Sequence, residues 1–228
     1  MRPPRLVVPG CAHHVTQRGV RKGPTFYDDS DHLVYIRLAK EAFANHSVKI
    51  CSYCLMNNHV HLVAIPDSEK GLSNALRDAH TAYTLYFNAK HGFVGHAWQG
   101  RPKIFVMDDV HFCNAVRYVE RNPVRAGIVI RAEDYPWSSA AAHCGLRDDL
   151  LLSTPIPWAE QVANWSEWLS CEEAPEELKR MRAHIAMDKP LGSLEFLAKL
   201  EVRVGRKLLP QKRGRPGNRV MQNPQLIK

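Results

Sequence analysis

The chain has 228 residues, 45% of them apolar and 24% charged, the balance of a globular protein with room for one good core and an appendage. No run approaches the ~18 to 20 unbroken apolar residues of a membrane span, and MRPPRLVVPG at the start has no apolar stretch of signal-peptide length. A cytoplasmic protein without membrane contact is therefore expected. Charge is uneven: 18 basic and 14 acidic residues lie in 1–150, 5 and 9 in 151–202, and 8 and none in 203–228. An acid-free basic end on a near-neutral body points to a polyanionic partner, nucleic acid first among them.

In chain order, residues 10–18 read as a first strand, followed by a turn over Gly19–Pro24. Residues 30–46 carry a helical stripe with Ser30 or Asp31 as cap. Residues 47–56 and 59–66 read as strands joined by the tight-turn pair Asn57–Asn58. Residues 70–89 form a long amphipathic helix, and HGFVGHAWQGRPK reads as a loop. A fourth strand spans 103–107, and a helix opens at Asp108 or Asp109 and stops near Arg121, before Asn122–Pro123. Cys51 and Cys54 make a lone CxxC with no second pair at zinc-ligand spacing, so both read as inert strand residues.

The order β-α-β-β-α-β, with one more helix, defines an α+β class: a ferredoxin-like antiparallel sheet with helices on one face. Three segments follow: a domain over 1–145, a helical, acidic, tryptophan-rich extension over 146–207, and a basic flexible tail over 208–228.

Two spacings carry chemistry. His59 and His61 stand at i and i+2 in a strand, so both imidazoles project from one face and can share a divalent cation. Two nitrogens completed by carboxamide, phosphate and water oxygens suit Mg2+ or Mn2+ better than a closed zinc site. The competing reading is a half-buried polar couple. In the helix after the fourth strand, Phe112, Val116 and Val119 make a buried stripe. Tyr118 shares another face with Asn114 and Asn122, where it is either an interface filler or a nucleophile.

The stretches HHVTQRG (13–19), YCLMNNHVHLVAIP (53–66), GHAWQGRPK (95–103) and RYVERNPVRAGIV (117–129) together resemble the single-tyrosine HUH transposases of the IS200-like group, most of all the REP-associated tyrosine transposases. The resemblance implies cleavage and rejoining of single-stranded DNA at hairpins through a 5′-phosphotyrosine intermediate. It places the nucleophile at Tyr118 and the metal ligands at His59 and His61. Asn122 stands where a third ligand is often supplied, although related insertion-sequence enzymes commonly carry Gln there. It also implies a monomer or a homodimer, associated with the nucleoid. The alternative is a transposase-derived protein that binds repeat DNA and regulates without cutting.

A single-strand grip needs stacking faces and cations. Trp98, Arg101 and Lys103 in the loop before the fourth strand, with Arg18 and Arg21 after the first, are the candidates. In the tail, Lys212–Pro216 (KRGRP) resembles an AT-hook core. Arg213 and Arg215 would lie in the narrow minor groove of A·T-rich duplex.

Overall fold

The computed structural model describes residues 5–153, 161–187 and 190–208. The expectations attached to Arg213 and Arg215 lie outside the described residues. Strands β1 (Ala12–Arg18), β2 (Val48–Met56), β3 (His59–Pro66) and β4 (Lys103–Met107) form one antiparallel sheet in the order β2-β3-β1-β4. This is the ferredoxin-like arrangement that the element order predicts.

Helix α1 (Asp29–Asn45) starts one residue before its expected span. Asp28 is the cap: its carboxylate accepts from Asp31 N at 3.1 Å. Asp31 is buried instead, taking Tyr27 N at 2.8 Å and Lys90 Nζ at 2.8 Å. That pair ties the start of α1 to the end of α2 (Gly71–His91). Tyr35, Ile36, Ala39 and Phe43 of α1 and Leu72, Leu76, Ala79 and Tyr83 of α2 share a core with Val15, Val60, Leu62 and Ile104 of the sheet.

Helix α3 (Asp109–Glu120), capped by Asp108, covers the opposite face. Phe112, Ala115, Val116 and Val119 pack there against Cys54, Met56, Val63 and Met107. The two helices of the β-α-β-β-α-β unit, α1 and α2, thus lie on one face as expected, and α3, which follows the unit, takes the other. Sheet residues on both faces are apolar and buried, so both faces need a cover.

Both sheet edges are also closed by later chain. Along β2, Leu55 N donates to Trp137 O at 2.8 Å and Ser139 N donates to Tyr53 O at 3.0 Å. Along β4, Leu191 N donates to Val106 O at 2.9 Å and Asp108 N to Leu191 O at 3.1 Å. Pairing of this kind removes edge donors that would otherwise invite another strand. Short helices α4 (Asn122–Arg125), α5 (Ala140–His143) and α6 (Trp165–Ser170) and the longer α7 (Pro175–Met187) complete a compact unit ending at Ser193. A second unit begins at Leu194 and holds α8 (Leu194–Val204), where Glu195 and Lys199 pair at 2.7 Å. Among the described residues no helix is long and apolar enough to cross a membrane.

Candidate active site on the two-histidine strand

The hairpin register places His59 and His61 on the sheet face that α3 covers. His61 pairs with Thr16 on β1 and Cys54 on β2; His59 pairs with Arg18 and Met56. The hairpin tip is held in place by the first loop: Gly19 N donates to Asn58 O at 2.9 Å, and Thr25 N donates to Asn57 O at 2.8 Å. The His59 and His61 ring centroids are 5.1 Å apart. Tyr118 lies across from them, 5.9 Å from His61 ring to ring.

A third imidazole completes the cluster. His14, two residues before Thr16 and on the same face, sits 5.0 Å from His61 and 6.0 Å from Tyr118 between centroids. Its Nε2 is 2.8 Å from His61 Nδ1. His59 Nδ1 is likewise engaged, by Asn58 Oδ1 at 2.6 Å. Neither His59 Nε2 nor His61 Nε2 has a hydrogen-bond partner among the described residues.

All three rings are held neutral. Burial, helped by the nearby Arg18, pushes His59 down to about 4. Burial, then the repulsion that a second proton would meet beside His14 and His59, carries His61 well below the ordinary imidazole value. Burial, then Arg125, takes His14 to about 3. His59 and His61, neutral rings whose Nδ1 atoms are occupied and whose Nε2 atoms are unspent, make a donor pair suited to a divalent cation. No cluster of three or more His, Cys, Asp or Glu side chains among the described residues is arranged to hold a metal. Two imidazoles here would therefore rely on carboxamide, phosphate and water oxygens for the remaining positions.

The hydroxyl of Tyr118 is distinctive. The other buried tyrosines all engage theirs: Tyr35 with His80, Tyr53 with Asp149, Tyr83 with Thr25 O and Tyr135 with Leu55 O. Tyr118, 9% exposed, has no partner for its hydroxyl among the described residues. The hydroxyl is open to solvent and not sealed in the core, so the phenol stands free beside the imidazoles, available for chemistry. The backbone behind it is firmly fixed. Asn122 Nδ2 donates to Tyr118 O at 3.2 Å and Val119 O at 3.3 Å, and Arg125 also donates to Tyr118 O. Asn122 thus caps α3 through its nitrogen, which leaves Oδ1 as its potential ligating atom.

The expected nucleic-acid contacts divide. Arg18, Arg21 and Arg101 are exposed. Val20 N donates to Ala97 O and Gln99 N to Arg18 O, which joins the two loops at the His59 end of the sheet. Arg21 and Lys22 stand at φ 54° and 62°, and the turn closes so tightly that a Cβ on Gly19 would lie 2.3 Å from Gly23 O. Lys103 is half-buried, with Nζ donating to Ile185 O at 2.8 Å. Trp98 is corrected. Its ring is buried, stacks on His80 at 4.4 Å and donates to His80 O, so it is core and offers no face to a base. The loop looked polar and glycine-rich, but its Ala97–Trp98 step is anchored by strand-like pairing to Gly19.

Sequence reasoning missed three residues. His14 belongs to the pair His13–His14, which reads as accidental in the sequence, and only the cross-strand register brings it to His61. Arg125 lies past the helix end, yet its guanidinium sits 4.1 Å from the Tyr118 ring centroid. Glu120 is fully buried and accepts from Ser52 and Ser139, tying α3 to β2 and to the strap along its edge.

Residues 7–122 match the family model described as transposase, IS200 like. The chain belongs to the IS200-like transposase family, whose members act in DNA binding and transposition. Its fold is similar to that of a REP-associated tyrosine transposase solved bound to a REP hairpin, at 17% identity and TM-score 0.54, over 68% of this chain and 93% of that one. A protein from Deinococcus radiodurans R1, solved as a candidate transposase, aligns at 11% identity and TM-score 0.38 over 53% of this chain and 97% of that one; nothing is built on a likeness of that size. No curated protein matches the chain closely enough to count as a relative.

Proposed function

We propose that this transposase-family chain nicks and rejoins single-stranded DNA at hairpin or repeat sequences through a covalent phosphotyrosine. Tyr118 is the nucleophile, and His59, His61 and the Oδ1 of Asn122 are the residues that would hold a Mg2+ or Mn2+ ion. Transposases of this family are generally metal-dependent. The observation that carries the reading is the unspent Tyr118 hydroxyl, whose ring lies 5.9 Å from that of His61. An open phenol facing two imidazoles is what cutting requires and binding alone does not.

A bound divalent cation would polarise a non-bridging phosphate oxygen and offset the charge that builds at phosphorus. The chain's own groups do the rest. Tyr118 Oη attacks phosphorus and loses its proton, the bond to the 3′ oxygen breaks, and that oxygen takes up a proton as a 3′-OH. The 5′-phosphotyrosine stores the bond's free energy, so the 3′-OH can reverse the step without a nucleotide cofactor. A neutral phenol is a poor nucleophile, so its proton must leave as the attack proceeds. Arg18, Arg21 and Arg101, exposed at the same end of the sheet, are suited to the strand's phosphates.

Residues 1–145 are the proposed catalytic domain, 146–207 an extension that straps α3, and 208–228 a tail for duplex or phosphate contact through Arg213 and Arg215. With α3 packed on its own chain's sheet, each chain holds a complete set of candidate groups, an arrangement that serves a monomer or a homodimer. The similar structure bound to a REP hairpin supports a hairpin substrate. Labelled hairpin oligonucleotides incubated with Mn2+ or Mg2+ should yield a protein–DNA adduct on denaturing gels. Its absence under all metal conditions, with binding retained, would favour the regulator instead.

A further inference from the structure

The geometry points to His14 as a positioning residue that holds the His61 ring by its Nδ1, so that Nε2 of His61 is the nitrogen turned toward a cation. The inference rests on the metal reading above and adds a third histidine to it. His14 and His61 are both buried, 0% and 5% exposed, and one proton must lie between His14 Nε2 and His61 Nδ1 across 2.8 Å.

Only one placement of that proton leaves His61 able to ligate through Nε2. A neutral imidazole carries one N–H. If Nε2 of His61 holds the lone pair that faces a cation, Nδ1 carries the hydrogen and donates to His14. His14 then accepts on Nε2 and carries its own hydrogen on Nδ1. The opposite placement puts a hydrogen on His61 Nε2 and blocks the ligand. His14 Nδ1 is buried without a hydrogen-bond partner among the described residues, so this placement leaves one buried N–H unpaired and is the one that a bound cation would impose. The His14 ring is clamped by packing, edge-on to Phe105 at 4.8 Å between centroids. His14 therefore keeps its Nε2 aimed at His61 while its protonation pattern follows what His61 requires. His59 has the parallel arrangement with Asn58 Oδ1, an oxygen that can only accept, which makes Nδ1 the protonated nitrogen there. Both ligands of the pair would present Nε2.

The test uses the full chain without DNA. Mn2+ binding is followed by electron paramagnetic resonance for the unaltered chain, His14→Leu and His14→Gln, with thermal melts to confirm folding. Loss of a partner that orients a metal-bound histidine weakens affinity about 10- to 100-fold. His14→Leu should show that loss, and His14→Gln, whose carbonyl reaches the Nε2 position and can accept, should restore most of it. Mn2+ affinity unchanged in a folded His14→Leu, or not restored in a folded His14→Gln, overturns the inference while the metal reading stands. An unaltered chain that binds no Mn2+ overturns the metal reading, and this inference with it.

Discussion

Arg125 lies flat enough on Tyr118 to place its guanidinium 4.1 Å from the ring centroid, while donating to the same residue's carbonyl and to Glu173 at 2.9 Å. One side chain thus links the proposed nucleophile to the segment between α6 and α7. Glu173 also accepts from Arg121 at 3.2 Å, and Arg117 donates to Cys171 O, so the tyrosine helix is strapped from outside along its last turn. Replacing Arg125 with Met keeps the bulk and removes the charge. Hydrogen bonds to charged groups are worth ~1.5 to 3 kcal/mol, so stability should drop by about 2 kcal/mol. The adduct rate should fall by more than the folded fraction does. Denaturant melts beside adduct time courses separate the two effects, and an unchanged rate per folded molecule removes Arg125 from the site.

Tyr118→Phe should abolish the covalent adduct and cost almost no stability, because the hydroxyl it deletes has no partner to lose. Tyr135→Phe is the contrast: its hydroxyl donates to Leu55 O at 2.8 Å, so its loss should cost about 1 kcal/mol and leave the chemistry intact. Melting curves and denaturing gels on the two variants check both halves. An adduct that survives Tyr118→Phe reassigns the nucleophile.

The strands and their turn were legible because alternation and the Asn57–Asn58 pair are local signals, and the i, i+2 relation of His59 and His61 follows from strand geometry alone. His14 was not legible, since its place depends on a register set by strands 47 residues apart in sequence. The face chosen by α3 was hidden for a similar reason. A helical stripe says that a helix is buried, and says nothing of which side of a sheet it takes. Trp98 was misread because composition marks a loop as exposed, whereas pairing of Gly19 with Trp98 folds this one onto the core.

Acid should weaken the fold before it empties the ligand pair. Burial holds His13 and His59 down to about 4, and His14 and His80 down to about 3. Their folded values lie below the unfolded value near 6.5, so the unfolded chain binds protons first as pH drops. Stability is then fully present above about pH 6.5 and declines as pH falls toward 4 and on toward 3. Mn2+ binding per folded molecule should hold at pH 5.5, because His59 and His61 stay neutral there. Denaturation midpoints that do not move between pH 7 and pH 4 would contradict these burial effects.

The turn after β1 is expected to tolerate no side chain at Gly19. A Cβ there meets Gly23 O at 2.3 Å and the Thr25 methyl at 2.7 Å. Gly19→Ala must open the turn that presents Arg21 and Lys22 and that anchors Asn57 and Asn58. We expect a loss of about 1 to 3 kcal/mol, as for other overpacked sites, together with weaker hairpin binding. Normal affinity in a folded Gly19→Ala would detach this turn from DNA recognition.

Trp98 and Arg101 sit three residues apart and should behave oppositely. Trp98→Ala empties a buried stack against His80, Tyr35 and Tyr83, and a deletion of that size costs about 3 to 5 kcal/mol. Any loss of DNA binding should then track the unfolded fraction. Arg101→Ala, at an exposed position, should leave the melting point alone and weaken hairpin binding uniformly across sequences. Each phosphate contact removed from a single strand lowers the slope of log affinity against log salt by about 0.7. Arg18→Ala and Arg21→Ala should lower it by comparable steps. Titrations at several salt concentrations measure this, and slopes that match the unaltered chain would place these three arginines off the phosphate path.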